Sequence, residues 1–298
     1  MAAATVLVTQ TTKEPRRVRA RGGMTKKRTS DWVLLIAVIL GGLVVMVPFY
    51  LILVNAFKSP VDYATSGPFA LPQAIDLSGI EAFWERVNFP EKVWNSIFIS
   101  GTVAVLAVLI SLLNAFAIGV GRVRGRSWIV LLFLLANLLP QEALLYPLYY
   151  MFKSVHLYDS VWSVIIVFTV IQAAFGTYLL ASVLGTFPKE VLEAASIDGA
   201  TRWQILWRVV FPITRPTLSV LLIFFFIWTW NEFLLPLTFL PSNANQTVPV
   251  AISVLTGDRL MDVTTTAGAA LLSIIPTIIF FLIFQRTLTR GITAGAVK

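Results

Sequence analysis

The chain of 298 residues is 57% apolar, only 13% of its residues are Asp, Glu, Lys or Arg, and its formal net charge is +8. Soluble domains carry about 25% charged residues, so this composition excludes an ordinary soluble enzyme. With no Cys and a single His, the chain cannot build a disulfide scaffold, a cysteine-ligated metal or iron–sulfur centre, or a multi-histidine metal site.

A basic segment opens the chain. Residues 1–31 hold eight of the Lys and Arg residues and few large apolar side chains. Burial of so little apolar surface cannot offset the entropy lost on ordering, so we expect a disordered tail. Its charge could hold it against anionic lipid head groups.

Six long apolar runs follow the tail and predict an all-α, polytopic membrane protein with six transmembrane helices. A helix needs about 20 apolar residues to cross a hydrocarbon core about 30 Å thick. A membrane β-barrel would instead show short segments of alternating polarity. The runs are Trp32–Val54, Ser96–Val120, Trp128–Phe152, Val161–Leu184, Thr217–Leu237 and Ala269–Gln285.

The basic residues predict the orientation of the spans. Of the 23 Lys and Arg residues, 18 fall in the two termini and the pieces that must lie on the same side as them, and 5 fall on the other side. Cytoplasmic loops carry the excess of Lys and Arg, so both termini are predicted to be cytoplasmic. The positive net charge is thus an orientation signal, and we expect no nucleic-acid partner.

These signals divide the chain into four consecutive parts, and one of them contains a loop of particular interest. The parts are the tail (1–31), the first span with an external segment (32–90), a core of five spans (91–287) that contains the cytoplasmic loop 187–212, and a cytoplasmic C-terminal tail (288–298).

The cytoplasmic loop 187–212 predicts two short helices joined by a hinge. Pro188 suits a first helical position, where a missing N–H costs nothing. Gly199 breaks the Ala-rich helix that follows, and Thr201 can cap a second helix. Pro212 is expected to end that second helix.

The same loop contains a spaced motif. Its parts are Glu193-Ala194-Ala195, Gly199 after three residues, and Val209-x-Phe211-Pro212 after nine more. This pattern resembles the EAA motif of ABC importer permeases, EAA-x3-G-x9-I-x-L-P, with Val in place of Ile and Phe in place of Leu. The alternative is an ordinary amphipathic loop, against which the joint spacing, Gly and closing Pro argue.

Three other segments resemble carbohydrate-type members of that family, most closely the smaller of two maltose-type permeases. They are Pro48-Phe49-Tyr50 with Asn55-Ala56-Phe57-Lys58, Trp230-Asn231-Glu232-Phe233, and the C-terminal run Arg290–Lys298. The resemblance implies a type I ABC importer permease fold. It also implies a coupling helix near Pro188–Gly199 that docks on a separate ATPase. The coupling residues would be Glu193, Ala194, Ala195, Asp198, Gly199 and Pro212.

The resemblance further implies a set of partners. They are a second permease, two copies of an ABC ATPase that hold ATP and Mg, and an extracytoplasmic solute-binding protein, for which the external loop Leu240–Val263 is the candidate contact. The substrate would be an oligosaccharide, a disaccharide or a related polyol or sugar phosphate, carried across the plasma membrane of a bacterium or archaeon. No G-x-x-x-x-G-K-[ST] occurs, so we expect no ATP site, cofactor, metal or enzyme activity in this chain.

Polar side chains within the spans are candidates for the substrate path. Amides and carboxylates are costly in lipid and default to functional or packing roles, and Trp rings stack on sugar C–H faces. A kink at Pro140 would expose backbone next to Glu142. The candidates are Asn137, Glu142, Gln172, Trp230, Asn231 and Glu232. Interhelical hydrogen bonding remains the alternative for each of them.

Three rival functions make different demands on the sequence. An ion-gradient-driven secondary transporter predicts broken helices at paired positions of two repeats, and no repeat is evident. A membrane enzyme needs clustered catalytic groups, whereas His156 stands in a short external loop without partners. An ABC exporter usually carries its ATPase on the same chain.

Overall fold

The computed structural model describes the backbone of residues 29–121, 123–257 and 263–296. Most of the basic tail, Arg122, and residues 258–262 of the candidate external contact lie outside the described residues. Within the described ranges the secondary structure is entirely helical. In chain order the helices are α1 (Thr29–Asn55), α2 (Pro60–Ser66), α3 (Ser78–Val87), α4 (Phe89–Gly119), α5 (Arg126–Ala136), α6 (Leu145–Ser154), α7 (Val161–Gly185), α8 (Lys189–Ile197), α9 (Arg202–Gln204), α10 (Phe211–Trp230), α11 (Leu234–Phe239), α12 (Val248–Gly257) and α13 (Val263–Ala296).

Five helical segments of the described residues are long and apolar enough to cross a membrane, or six if one bent pair counts as a span. The continuous segments are Trp32–Asn55, Phe89–Gly119, Val161–Gly185, Arg202–Trp230 and Val263–Arg286. The all-helical membrane class is therefore confirmed. The orientation with both termini in the cytoplasm stays a prediction.

The third predicted span is wrong as a single helix. α5 and the helical segment Gln141–Ser154 meet at an angle of 88°. The break lies at the predicted kink, because Pro140 has no N–H to donate and disfavours a helical conformation for the residue before it. A 3₁₀ turn (Gln141–Leu144) then leads into α6.

The fifth span also differs from its prediction at both ends. It begins at Arg202 and ends at Trp230, not at Leu237. Pro212 does not end a helix, because a π-helical segment (Ile205–Val210) precedes it and the helix continues. The wider π turn accommodates the proline ring, which in an α-helix would collide with the carbonyl four residues earlier.

The chain divides into two compact units, Met1–Val47 and Pro48–Lys298. In the first unit, the described side chains of α1 from Trp32 to Val47 are all exposed. Such an apolar surface requires a cover of lipid or protein.

The core of the second unit is a tight packing of α4, α7 and α10. α4 and α7 run parallel, since Ser111 Oγ donates to the Ala173 carbonyl (3.2 Å) and Asn114 Nδ2 to Thr177 Oγ1 (3.3 Å). A Cβ on Gly176 would lie 2.2 Å from Ser111 Oγ. Small residues at this contact therefore allow the close approach that membrane helices use in place of a hydrophobic driving force.

The segment between the first two spans is folded rather than a loose loop. Phe83 and Val87 of α3 are buried with Phe89, Val248, Ala251 and Ala269. Hydrogen bonds from the Ser78 hydroxyl and amide lower the pKa of the Asp76 carboxyl at the start of α3. α3 thus packs with α12 and α13 in a small apolar cluster that is separate from the core of α4, α7 and α10.

Candidate functional site

The loop 187–212 is locked by its own backbone. α8 ends in a Schellman motif, in which the Ala200 amide donates to the Ala195 carbonyl (3.0 Å) and the Gly199 amide to the Ser196 carbonyl (3.1 Å). Gly199 has a φ of +75°, which is strained for any residue with a Cβ. The predicted helix break at Gly199 is therefore confirmed, but it takes the form of a fixed turn rather than a hinge.

The predicted cap at Thr201 is also confirmed. The Gln204 amide donates to Thr201 Oγ1 (3.3 Å) and the Thr201 amide donates to Gln204 Oε1 (2.8 Å). This capping box satisfies two backbone donors at the start of the long fifth span. The turn and the span are consequently joined without a flexible linker.

The loop has an inner and an outer face. Phe187, Leu192, Ala195 and Ala200 pack on the core formed by α4, α7 and α10. The outer face carries the exposed residues Glu193, Ala194, Ile197, Asp198 and Gly199. Ile197 is 85% exposed.

An aromatic row continues from this loop into the fifth span. Trp203 is 62% exposed, and its ring lies 5.6 Å from that of Trp207, which lies 5.3 Å from that of Phe211. The first pair meets edge to face at 72° and the second is tilted at 52°, so the row is a continuous packed contact from Trp203 into α10.

Three of the six path candidates make local or interhelical hydrogen bonds. Asn137 Nδ2 donates to the Phe133 carbonyl one turn back (2.6 Å), and Asn231 Nδ2 donates to the Ile227 carbonyl one turn back (2.7 Å). Gln172 is fully buried, and its Nε2 donates to Thr229 Oγ1 across the α7–α10 contact (2.8 Å). Gln172 Oε1 has no hydrogen-bond partner among the described residues. The structure thus places Gln172 in a packing position between helices.

Glu142, Trp230, Asn231 and Glu232 lie at two helix breaks. Glu142 is exposed and follows the break between α5 and α6. Glu232 follows the end of α10, where its Oε1 accepts from the Leu234 amide (3.3 Å).

Trp230 and Asn231 lie between two cavities. One, of about 410 Å³, is lined by Phe226, Trp230, Asn231 and α13 residues including Phe280. The other, of about 570 Å³, is lined by Trp230, Asn231 and residues of α12 and α13. The rings of Phe226 and Phe280 stack at 4.1 Å. These cavities are large enough for a sugar ring, although the first is almost wholly apolar in its lining.

The segment 241–248 at the opposite end of the bundle is anchored by polar side chains, and we refer to it as the anchored loop. From α4, Lys92 Nζ donates to the Asn243 carbonyl, Asn95 Nδ2 donates to the Ala244 carbonyl (2.7 Å), and Ser96 Oγ accepts from the Val248 amide (2.9 Å). Lys92 is fully buried. A buried ammonium bound to a loop carbonyl indicates that this loop has one fixed position.

A second anchor comes from the turn before α7. Asp159 Oδ1 accepts from the Ser242 amide (3.2 Å) and hydroxyl (2.9 Å). Asn245 Nδ2 donates to the Asp159 carbonyl (2.7 Å). Asn243 and Ala244, at the tip between the two anchors, remain exposed.

Sequence reasoning missed these anchors and a tyrosine group on α6. Tyr146, Tyr149 and Tyr150, with Lys153, form ring and cation–π contacts. Their spacing at i and i+4 in a span was the available signal. Within the described ranges, no cluster of three or more His, Asp or Glu residues could hold a metal ion.

Comparison with known proteins adds three findings. The model of the family described as "Binding-protein-dependent transport system inner membrane component" matches residues 114–294. The diacetylchitobiose uptake system permease protein DasC of Streptomyces coelicolor is 30% identical over 84% of this chain and 91% of its own length. The probable starch degradation products transport system permease protein AmyC of Thermoanaerobacterium thermosulfurigenes is 27% identical over 92% of this chain and 100% of its own length.

A solved structure shares the fold. A chain in the crystal structure of a bacterial ABC transporter involved in the import of the acidic polysaccharide alginate superposes with a TM-score of 0.76 at 23% identity. The match covers 87% of this chain and 98% of that one. The permease architecture therefore holds over nearly the full length of the solved chain.

Proposed function

The chain belongs to the binding-protein-dependent transport system inner membrane components, among the carbohydrate ABC importer permeases, and on this premise we propose that it forms one half of the path of an ATP-driven carbohydrate importer. A second permease supplies the other half. Two copies of an ABC ATPase hold the ATP and Mg²⁺, and a solute-binding protein delivers the substrate from outside. The assembly spans the plasma membrane of a bacterium or archaeon.

The loop 187–212 carries this proposal. Its outer face, with Glu193, Ala194 and Ile197, docks on the ATPase, and its inner face is packed on three spans. Closure of the ATPase on ATP then moves the loop as one body, because the Schellman motif and the capping box leave no soft joint. Asp198 and Gly199 form the turn, and Pro212 belongs to the span that receives the motion.

The polar side chains at the two helix breaks support a substrate path. Glu142, Glu232 and Asn231 offer hydrogen-bonding groups there, and amides and carboxylates bind sugar hydroxyls. Indole rings pack on sugar C–H faces, and Trp230 lines both cavities. Asn137 and Gln172 act in the walls of this path rather than on the substrate. Names of relatives support an oligosaccharide or disaccharide as cargo, with polyols and sugar phosphates as the alternatives.

The anchored loop supports a contact for the solute-binding protein, within the predicted contact region Leu240–Val263. A surface that is already ordered in its bound conformation loses little conformational entropy when a partner binds. This favours a partner that binds and dissociates in each transport cycle. Asn243 and Ala244 present such a surface.

The test is ATP-driven uptake by the assembled transporter in proteoliposomes. We expect uptake of a labelled carbohydrate that requires internal ATP and the binding protein, and that continues when ionophores collapse the ion gradients. The purified chain alone should hydrolyse no ATP above background. Uptake that persists without ATP and stops with ionophores would establish the rival ion-driven transporter instead, for which the described residues offer one bent helix pair.

A further inference from the structure

Helix α6 has two chemically different faces. Phe152 is buried against Phe239, with ring centroids 5.3 Å apart. On the other face, Tyr146 is 72% exposed and Tyr150 is 54% exposed. Residues four apart share one side of an α-helix, so Tyr146 and Tyr150 lie on the same side of α6. Glu142, also exposed, lies in the 3₁₀ turn (Gln141–Leu144) that leads into α6. We call these three residues the α6 strip.

The α6 strip is ordered by its own contacts. The rings of Tyr146 and Tyr150 meet edge to face at 4.8 Å. The Tyr146 hydroxyl donates to the Tyr150 hydroxyl at 3.2 Å. Tyr149 packs on Tyr150 at 5.5 Å from the other side. The rings therefore have fixed faces and a fixed row of hydroxyls before any ligand arrives.

Lipid is a poor cover for this strip. Glu142 lies in the second segment of a bent helix pair that together is apolar enough for a span, and an ionisable side chain within a span faces water or protein rather than hydrocarbon.

We propose that the α6 strip binds the rings of an uncharged carbohydrate, with Tyr146 and Tyr150 against its C–H faces and Glu142 accepting from its hydroxyls. This inference rests on the proposed function and adds a specific contact surface to it. The phenol hydroxyls both donate and accept, so they match sugar hydroxyls of either orientation.

Charge argues for an uncharged cargo. Glu142 stands at one end of the strip. Lys153, near the other end, lies over the rings of Tyr149 and Tyr158 at 4.8 and 5.5 Å. An anionic sugar would meet the Glu142 carboxylate, and like charges at short range repel. The sugar-phosphate alternative is therefore disfavoured by this surface.

The absence of cysteine from the chain allows a direct test of exposure to water. Tyr146→Cys, Tyr150→Cys and, as a control, Leu132→Cys on the exposed apolar side of α5 are each assembled with the partner subunits. They are then treated with a water-soluble, membrane-impermeant thiol reagent. Only the thiolate reacts, and it does not form in hydrocarbon. We expect the two strip variants to react at least about tenfold faster than the control, and maltotriose, raffinose or trehalose to slow them.

Uptake kinetics provide the second arm. We expect Tyr150→Ala and Tyr146→Ala to raise the KM for the imported sugar by about three- to tenfold, the range of one lost aromatic contact, while Tyr→Phe at each position largely restores it. Binding-protein-independent ATPase activity reports correct folding of every variant.

Two results would overturn the inference. One is strip cysteines as slow as the Leu132→Cys control, which would place the face in lipid or against another helix. The other is fast labelling with no sugar protection and an unchanged KM in the Ala variants. Failure of the proposed function is separate, because it would appear as the absence of ATP-driven carbohydrate uptake by the wild-type assembly.

Discussion

The loop 187–212 and the anchored loop are fixed in opposite ways. The first is closed by backbone hydrogen bonds of its own turn and by apolar packing on the spans beneath it. The second is held from outside by the side chains of Lys92, Asn95, Ser96 and Asp159. Because the loop 187–212 is closed by its own backbone hydrogen bonds, its outer face stays exposed. The anchored loop is instead bonded to the first turns of α4 and to the turn before α7.

The difference suggests different roles in transport. If the loop 187–212 couples an ATPase to the spans, it must move together with them, and its packing on α4, α7 and α10 joins it to them. If the anchored loop binds the solute-binding protein, it must keep its shape, and the hydrogen bonds from two separate elements hold that shape. Substitutions in each loop can separate these roles.

The largest effect on transport is expected from a substitution at Gly199, in the turn of the loop 187–212. Gly199→Val places a β-branched residue at φ +75°, a conformation that costs an ordinary residue about 1–2 kcal/mol and a β-branched one more. The turn should reopen, and ATP-driven uptake should fall by about a hundredfold, the scale of a 2.7 kcal/mol loss, while the chain still inserts.

Gly185→Val is the matched control. Gly185 ends α7 on the same side, and a Cβ there meets nothing within 4 Å. Normal uptake by the Gly199→Val variant, measured beside this control, would show that the turn is not part of the coupling path.

The next effect is expected at the buried ammonium. Lys92→Met keeps the bulk of the side chain and removes its charge-assisted bond to the Asn243 carbonyl, worth about 2 kcal/mol. Amide hydrogen exchange at Gln246 and Val248 should therefore quicken by about thirtyfold.

Lys153→Met serves as the comparison, because Lys153 is exposed and makes its cation–π contacts elsewhere. Equal exchange in both variants would mean that Asn95, Ser96 and Asp159 hold the anchored loop without Lys92. The half-saturating concentration of binding protein should rise only in Lys92→Met.

The smallest effect is expected at the cap of the fifth span. Thr201→Ala removes one half of the capping box and should lower the free energy of local unfolding by about 1 kcal/mol. Exchange of the Gln204 amide should rise by about fivefold with transport only slightly reduced. A loss of uptake as large as that in Gly199→Val would show that the cap at Thr201, rather than the turn at Gly199, is needed for coupling.

Local features were largely predictable because their causes are local. Gly199 takes a conformation that only glycine adopts without strain, Thr201 caps as its side chain allows, and Pro140 interrupts a helix. Pro212 shows the limit of such reasoning. The same rule that predicted a helix end there fails, since a π segment absorbs the ring.

The site was less predictable than the spans. Glu142, Asn231 and Glu232 were predicted as path residues from their polarity within apolar runs, and they stay predictions. The same signal selected Gln172, which is buried in a helix contact. Polarity reports that a residue needs a partner, and only packing decides whether that partner is a neighbouring helix or the path.

The sequence by itself determined the membrane class, the family motif and the turn at Gly199, because span length, residue spacing and backbone preference are properties of short segments. Tertiary structure alone decided that α5 and the segment Gln141–Ser154 meet at 88° and that Lys92 binds a carbonyl 151 residues away. Contacts between distant segments depend on how whole helices pack, and that information is not contained in any local pattern.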